Sequence, residues 1–190
     1  MKLTLIGLAA AVVLPAMANG QAALRTAPST RATTQVNVGP PTVEGQPAPP
    51  PMIVKIDYGQ PHARGRQVAG ALPDDIGKDW RMGANAPTTL TTDVDLVLGG
   101  ATIPKGTYVL YAVTAPGEWK LAVNKDTKGA AMTPDASTDL ARIPLKSRTL
   151  TTPIESLTIW LIPGAEGALD GELRIAWGTL EHSVGWTIKP

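Results

Sequence analysis

The segment between Gly59 and Asn85 carries a dense group of chemically active side chains. It contains three arginines, one histidine and three aspartates, with no clear alternation of apolar and polar residues: Arg64, Arg66, Arg81, His62, Asp74, Asp75 and Asp79. Each guanidinium offers a rigid fork of N–H groups that fits a carboxylate or a phosphate. Such a segment could cup an anion. Alternatively, its arginines pair with these aspartates and with Asp57, and so fix a long connection to the fold. Both interpretations stay open.

Residues 78–85, KDWRMGAN, combine an indole, a guanidinium, a glycine and a side-chain amide. We expect Trp80 to plug the edge of the core and Gly83 to permit a tight bend. Asn85 can bond backbone groups near the turn. Arg81 follows a buried tryptophan, so its guanidinium would be partly desolvated and would need a partner, either internal or from a ligand. The candidate binding residues are Arg66, Trp80, Arg81, Asn85 and His62.

Most familiar catalytic motifs are absent from the sequence. It has no cysteine, no Gly-x-Ser-x-Gly turn, no phosphate-binding glycine loop and no His-Glu-x-x-His motif. A Ser–His–Asp site would need one of the two histidines, and no serine lies in a suggestive turn. If the protein is an enzyme, its general base is His62 or a carboxylate of the 74–79 segment.

The number of histidines also limits the kinds of metal site that the chain could form. With only His62 and His182, a three-histidine site is impossible. A site made of both histidines and Asp57 is formally open, but the histidines lie far apart in sequence and neither has a partner at ligand spacing. We therefore predict no metal and no cofactor.

The tryptophans raise the question of carbohydrate stacking. Trp119, Trp177 and Trp186 fall on the apolar faces of strand-like runs, and the chain has no phenylalanine. Bulky core side chains must then come from the indoles, so we expect these three to pack in the core rather than to hold sugars. Trp160 shares a face of its strand with one polar and one apolar residue, so the sequence does not decide whether it faces the core or solvent.

The elements that would position these residues are strands. Period-two alternation marks half-buried strands at residues 54–58, 93–98, 118–123, 172–177 and 183–188, and residues 107–113 and 157–162 are apolar on both faces. Glycine and proline turns separate these runs. Residues 72–77 and 133–140 could each start one helical turn. The pattern predicts an all-β fold, an antiparallel β-sandwich of about eight or nine strands, in a single domain over residues 52–190.

The first 51 residues have a different composition. Lys2, the apolar run 3–14 and the triplet Ala16-Met17-Ala18 form the pattern of a signal peptide over residues 1–18. Residues 19–51 are rich in Pro, Thr, Gln and Ala and predict a disordered linker. We therefore expect a periplasmic or extracellular protein with no membrane span after signal cleavage. The net charge of +1 gives no support for nucleic-acid binding.

Several runs together resemble a bacterial family of exported domains, the domain-of-unknown-function 2911 family. They are DYGQPHARGR, KDWRMGAN, LGGATIPKGTYVLYAV, EWKLAVNKD and LRIAWGTLEHSVGWTI. The signature Trp80-Arg81-x-Gly83-Ala84-Asn85 is the most specific part. Family members often follow it with a glutamate, whereas this chain has Ala86-Pro87, so any function of that glutamate would be missing here. The resemblance implies export and a compact β-rich domain, but no reaction and no catalytic residue.

Three hypotheses about function follow. The first is an exported, non-catalytic module that binds a small ligand, a glycan or an envelope partner through the 59–85 connection, with Arg66, Arg81 and Asn85 as polar anchors. The second is a periplasmic hydrolase that uses His62 or an aspartate of residues 74–79 as general base. The third is a purely structural envelope protein in which this connection only closes the fold.

Overall fold

A computed structural model describes residues 25–40, 44–47, 49–115, 117–127 and 135–189. The predicted signal peptide, residues 1–18, lies outside the described residues. Within them, two short 3-10 helices, Pro73–Asp75 and Ala136–Thr138, lie where the sequence predicted single helical turns. No helix in the described part of the chain has the length and apolar composition needed to cross a membrane.

The described residues form eleven strands. They are β1 (Thr30–Val38), β2 (Met52–Gln60), β3 (Asp79–Trp80), β4 (Thr88–Thr92), β5 (Leu96–Leu98), β6 (Ala101–Ile103), β7 (Gly106–Ala115), β8 (Glu118–Asn124), β9 (Asp139–Pro144), β10 (Lys146–Pro163) and β11 (Asp170–Ile188). The count exceeds the predicted eight or nine because strands of two or three residues, such as β3 and β6, are too short to show alternation in the sequence.

Two antiparallel sheets pack against each other, which confirms the predicted sandwich. One sheet has the order β1-β2-β4-β7-β8-β9, with β3 also paired to β7, and the other has the order β10-β11-β5-β6. Their facing sides build one hydrophobic core. Alternation works as predicted along β2, where Val54, Ile56 and Tyr58 are buried. Trp119, Trp177 and Trp186 are buried in the core as expected, and Trp160 is half-buried on β10.

The prediction of a disordered linker over residues 19–51 is wrong for β1. Residues 30–38 pair with β2 in unbroken antiparallel register, from Thr30 opposite Gln60 to Val38 opposite Met52. An ion pair between Arg31 and Asp57 adds to this pairing. The segment is rich in β-branched residues, and the free edge of β2 supplies the hydrogen-bond partners that composition alone does not show. The other described residues between 25 and 51 are in neither strand nor helix.

Side chains of β1 and β2 also reach the edge strand of the second sheet. The amide of Ile159 donates to the Tyr58 hydroxyl at 3.1 Å, and the amide of Leu161 donates to Thr34 Oγ1 at 3.1 Å. These bonds occupy amides of β10 that have no strand neighbour on that side. They tie the two sheets together beside the 59–85 connection.

Candidate functional site

The connection from β2 to β3 crosses the end of the sandwich and is bonded to the second sheet at several points. The amide of Leu157 donates to the carbonyl of Pro61 at 3.0 Å, and the amide of Ala63 donates to that of Glu155 at 2.7 Å. Further along, the amide of Gly70 donates to the carbonyl of Trp177 at 2.9 Å. The backbone of the connection is therefore held by β10 and β11.

Gly178 on β11 allows a close approach of the connection. The amide of Thr179 donates to the Val68 carbonyl at 3.0 Å, and a Cβ at Gly178 would overlap that same carbonyl. Gly178 also has φ of 62°, a region in which side chains other than glycine are strained. A glycine is thus required here for the connection to reach the strand.

Thr114 on β7 holds the stretch that leads into β3. Its buried hydroxyl lies 2.7 Å from the carbonyl oxygen of Asp75 and 2.8 Å from that of Lys78, and it accepts from the amide of Gly77 at 3.0 Å. One side chain of the first sheet thereby holds the backbone of residues 75–78, just before Trp80.

The turn after β3 takes its shape from two residues in the left-handed region. Met82 has φ of 52° and is fully buried, and Asn85 has φ of 63° and is exposed. Gly83, which was expected to permit the bend, is outside that region. Its lack of a side chain matters for packing instead, because a Cβ there would lie 2.9 Å from Thr88 Oγ1 and 3.0 Å from the Gly59 carbonyl oxygen.

The connection and this turn enclose a cleft of about 610 Å³. Its wall contains arginines, aspartates, a histidine and two indoles: Pro28, Ser29, Pro61, His62, Arg64, Arg66, Leu72, Asp75, Asp79, Trp80, Arg81, Gly83, Ala84 and Trp177. Four of the five predicted binding residues, all except Asn85, therefore lie in one wall. Asn85 follows the wall residue Ala84, is exposed, and is not among the residues that line the cleft.

Arg66 is held by the backbone of its own connection. Its Nε donates to the Ala63 carbonyl at 3.0 Å and its Nη2 donates to the His62 carbonyl at 2.6 Å. The alternative in which the arginines pair with the aspartates is wrong for this residue. Asp57 pairs with Arg31 of β1 rather than with an arginine of the connection.

The charges in the cleft wall are mixed, with an excess of positive ones. Three guanidinium groups, of Arg64, Arg66 and Arg81, face two carboxylates, of Asp75 and Asp79. Burial raises the pKa of the Asp75 carboxyl, while the positive charges of Lys78 and Arg81 act to lower it. Arg81 is half-buried in the same wall, and its positive charge acts on the Asp75 carboxyl.

Two indoles are the largest apolar side chains in the wall. Trp80 of β3 stacks on Trp177 of β11, with ring centroids 5.9 Å apart and planes 14° from parallel. Trp177 is oriented by its Nε1, which donates to the Glu155 carbonyl at 3.1 Å. The predicted role of Trp80 as a plug at the core edge is confirmed, since it is 6% exposed and belongs to the core.

Sequence reasoning missed Ser156, Pro28 and Ser29 at this site, and it assigned the wall residue Trp177 to the core alone. The Nδ1 of His62 lies 2.7 Å from the Oγ of Ser156 on β10, and the two residues also form an isolated β-bridge. Pro28 and Ser29, just before β1, lie in the cleft wall. No sequence signal marks Ser156, and the Pro-, Thr-, Gln- and Ala-rich composition of residues 19–51 predicted disorder around Pro28 and Ser29.

The cleft lies almost wholly within a region that matches a known family. A protein-family model described as "Protein of unknown function (DUF2911)" matches residues 48–185. The chain belongs to the DUF2911 family. No curated protein and no solved structure matches the chain.

Two features of this chain lie outside residues 48–185, which match the DUF2911 family model. Strand β1 precedes residue 48, and so do Pro28 and Ser29 in the cleft wall. The arginines, His62 and both stacked indoles fall inside that range. Among the described residues of this DUF2911 protein there is no group of three or more His, Cys, Asp or Glu side chains that could hold a metal ion.

Proposed function

We propose that the protein is a non-catalytic binding module that holds a small anionic ligand in the cleft. The observation that carries this proposal is the excess of guanidinium groups over carboxylates in one cleft wall. A carboxylate or a phosphate is the ligand group that a guanidinium fork binds best. The volume of about 610 Å³ falls within the range of small-molecule sites.

Arg66 supports the proposal through its fixed position. Its two bonds to backbone carbonyls use N–H groups of Nε and Nη2 and leave other N–H groups of the guanidinium available to a ligand. A donor that is already oriented loses little conformational freedom on binding, and this favours affinity. Arg81, which directly follows Trp80 in the chain, would add a further positive charge to the same wall.

The buried indoles favour an anion over a glycan. Sugar binding by stacking needs an exposed aromatic face, and Trp80 and Trp177 are only 6% and 2% exposed. Their rings pack on each other and on the core. They can exclude water from one side of a bound anion, which strengthens its hydrogen bonds to the arginines.

The proposal is tested by thermal unfolding and calorimetric titration with inorganic phosphate and with succinate. We expect either anion to raise the melting temperature, and Arg81→Gln to weaken binding at least tenfold. The matched control is Arg174→Gln, because Arg174 lies on β11 outside the cleft and pairs with Glu172. Equal loss of binding in both variants, or no binding of either anion, contradicts the proposal.

One contact favours hydrolysis as a second candidate function. Ser156 Oγ lies within hydrogen-bond distance of His62 Nδ1, and His62 belongs to the cleft wall. A serine oriented by a histidine is the pair from which nucleophilic catalysis is built. Hydrolysis of a chromogenic acetyl ester that is lost in both Ser156→Ala and His62→Asn would establish this function, while anion binding that survives in both variants supports the non-catalytic one.

We propose further that the protein acts after export, in the periplasm or outside the cell. The pattern of residues 1–18 supports this location. Fractionation of cells that express the full chain, followed by mass determination of the mature amino terminus, tests it. Recovery of uncleaved chain in the cytoplasm would overturn it.

A further inference from the structure

A second cavity lies on the other side of the same connection and differs in character from the cleft. Its volume is about 670 Å³, and most of its wall is apolar, including Val68, Ala71, Ile76 and Ile154. We call it the apolar groove. It runs between the connection on one side and strands β10 and β11 on the other, because Pro153, Glu155 and Gly178 also belong to its wall.

Two polar groups of the apolar groove, on Glu155 and Thr179, are already engaged, while Gln67 in its wall is exposed. The Glu155 carboxylate accepts from the amide of Arg64 at 2.7 Å, and the Thr179 hydroxyl lies 3.4 Å from the Val68 carbonyl oxygen. Ile76 and Ile154 are only half-buried and keep apolar surface open to the groove. The wall therefore suits a ligand part that is mostly apolar.

Arg66 belongs to the walls of both the cleft and the apolar groove. Its side chain is fixed by the carbonyls of His62 and Ala63, so a positive charge is held where the two cavities meet. A cation at the mouth of an apolar cavity selects a molecule that carries an anion at one end and a hydrocarbon chain at the other.

We propose that the ligand is a straight-chain carboxylate, with its carboxylate on Arg66 in the cleft and its acyl chain in the apolar groove. This inference rests on the proposed binding of anions in the cleft and adds the chemical class of the rest of the ligand. Each methylene that enters the groove leaves water, so each added carbon should raise affinity about threefold to fourfold until the groove is filled.

The test is a calorimetric titration of the full chain with acetate, butanoate, hexanoate, octanoate and decanoate, all below their micelle-forming concentrations. We expect each added methylene to raise affinity about threefold to fourfold along the series. 1-Octanol is the neutral control and should bind at least tenfold more weakly than octanoate. Equal affinity of 1-octanol and octanoate overturns the role of Arg66.

The outcomes separate this inference from the proposed function. Binding of acetate and phosphate with no dependence on chain length overturns the acyl-chain inference and leaves the anion site standing. Failure of every carboxylate and of phosphate overturns both. A rise of affinity with chain length supports both.

Variants of the apolar groove provide the second readout. Ile154→Gln and Ile76→Gln place an amide in the groove and should flatten the dependence on chain length while phosphate affinity stays within twofold of wild type. Two positions are changed separately so that the test still works if one of the variants does not fold. Leu169→Gln is the control, because Leu169 is 47% exposed and outside both cavities, and it should leave the series unchanged. A full chain-length dependence in both groove variants would refute the inference.

Discussion

The indole of Trp80 stacks on that of Trp177, with ring centroids 5.9 Å apart. Trp80 comes from β3, which pairs with β7 in the larger sheet, and Trp177 comes from β11 in the smaller one. The pair therefore joins the two sheets at the end of the sandwich where the cleft lies. Packing of the core and formation of the cleft wall depend on the same two rings.

Trp80→Ala should destabilise the protein by about 3–5 kcal/mol, the cost typical of truncating a buried tryptophan. Chemical denaturation monitored by circular dichroism measures this loss. Trp160→Ala is the control, because Trp160 is half-buried on β10 and its removal should cost clearly less. Equal costs for the two variants would show that the stacked pair has no special part in stability.

Thr114→Val removes the hydroxyl that fixes the backbone before Trp80 and keeps the shape of the side chain. The carbonyls of Asp75 and Lys78 and the amide of Gly77 each lose one partner but keep a backbone one, so we expect a loss of about 0.5–1.5 kcal/mol in the free energy of unfolding. Thr91→Val should cost less than about 0.5 kcal/mol, since Thr91 makes one exposed contact of 3.4 Å. Matching losses for the two variants would contradict the anchoring role.

The sequence predicts much of this architecture because half-buried strands produce alternation. Val54, Ile56 and Tyr58 on β2 show this pattern, and the structure buries all three. Strand β1 escaped prediction because only two of its inward residues, Val36 and Val38, are large and apolar, while Ala32 and Thr34 are small or polar. Its stability comes from pairing with the edge of β2, and pairing between strands is not visible in the composition of either one.

The candidate site likewise combines residues that are close in sequence with residues that only the fold brings to them. His62, Arg66 and Arg81 were predicted because they are close in sequence and carry the required chemistry. Ser156 and Trp177 join them only because the connection folds onto β10 and β11. Backbone approaches such as that of Val68 to Gly178 decide these contacts, and no local pattern encodes them.

The pairing of β1 with β2 can be tested by a disulfide in this cysteine-free chain. Gln35 and Lys55 are directly opposed on the outer face, and opposed residues of antiparallel strands have Cα atoms about 4.5–5.5 Å apart, within the range for disulfides. The double variant Gln35→Cys with Lys55→Cys should form an intramolecular bond and gain about 3 kcal/mol when oxidised.

The reduced form of the same double variant is the matched control, and comparison of the two unfolding curves gives the gain directly. The connection between the strands, residues 39–51, is much longer than the about 2–5 residues of a common hairpin loop. If β1 were unpaired in solution, oxidation would give covalent dimers or mixed products instead of a stabilised monomer.

His182 occupies a position in the core that favours its neutral form. It is 1% exposed and stacks on Trp119 with ring centroids 4.1 Å apart. Its Nδ1 lies 2.8 Å from Ser147 Oγ, while its Nε2 has no hydrogen-bond partner among the described residues. Burial lowers the pKa of His182 to about 4, and the negative charge of Glu181 opposes this shift only in part.

This depressed pKa predicts that the fold weakens in mild acid. The unfolded chain binds a proton at His182 near pH 6.5, whereas the folded chain does so only near pH 4, so the stabilisation is complete above about pH 6.5 and is lost as the pH falls toward 4. The free energy of unfolding should fall by about 1.4 kcal/mol per pH unit in this window, on the order of 3 kcal/mol in total. Denaturation at several pH values measures it. His182→Gln removes the titrating group, so its stability should change much less between pH 6.5 and 4. A parallel fall in both proteins would assign the acid sensitivity to carboxylates instead.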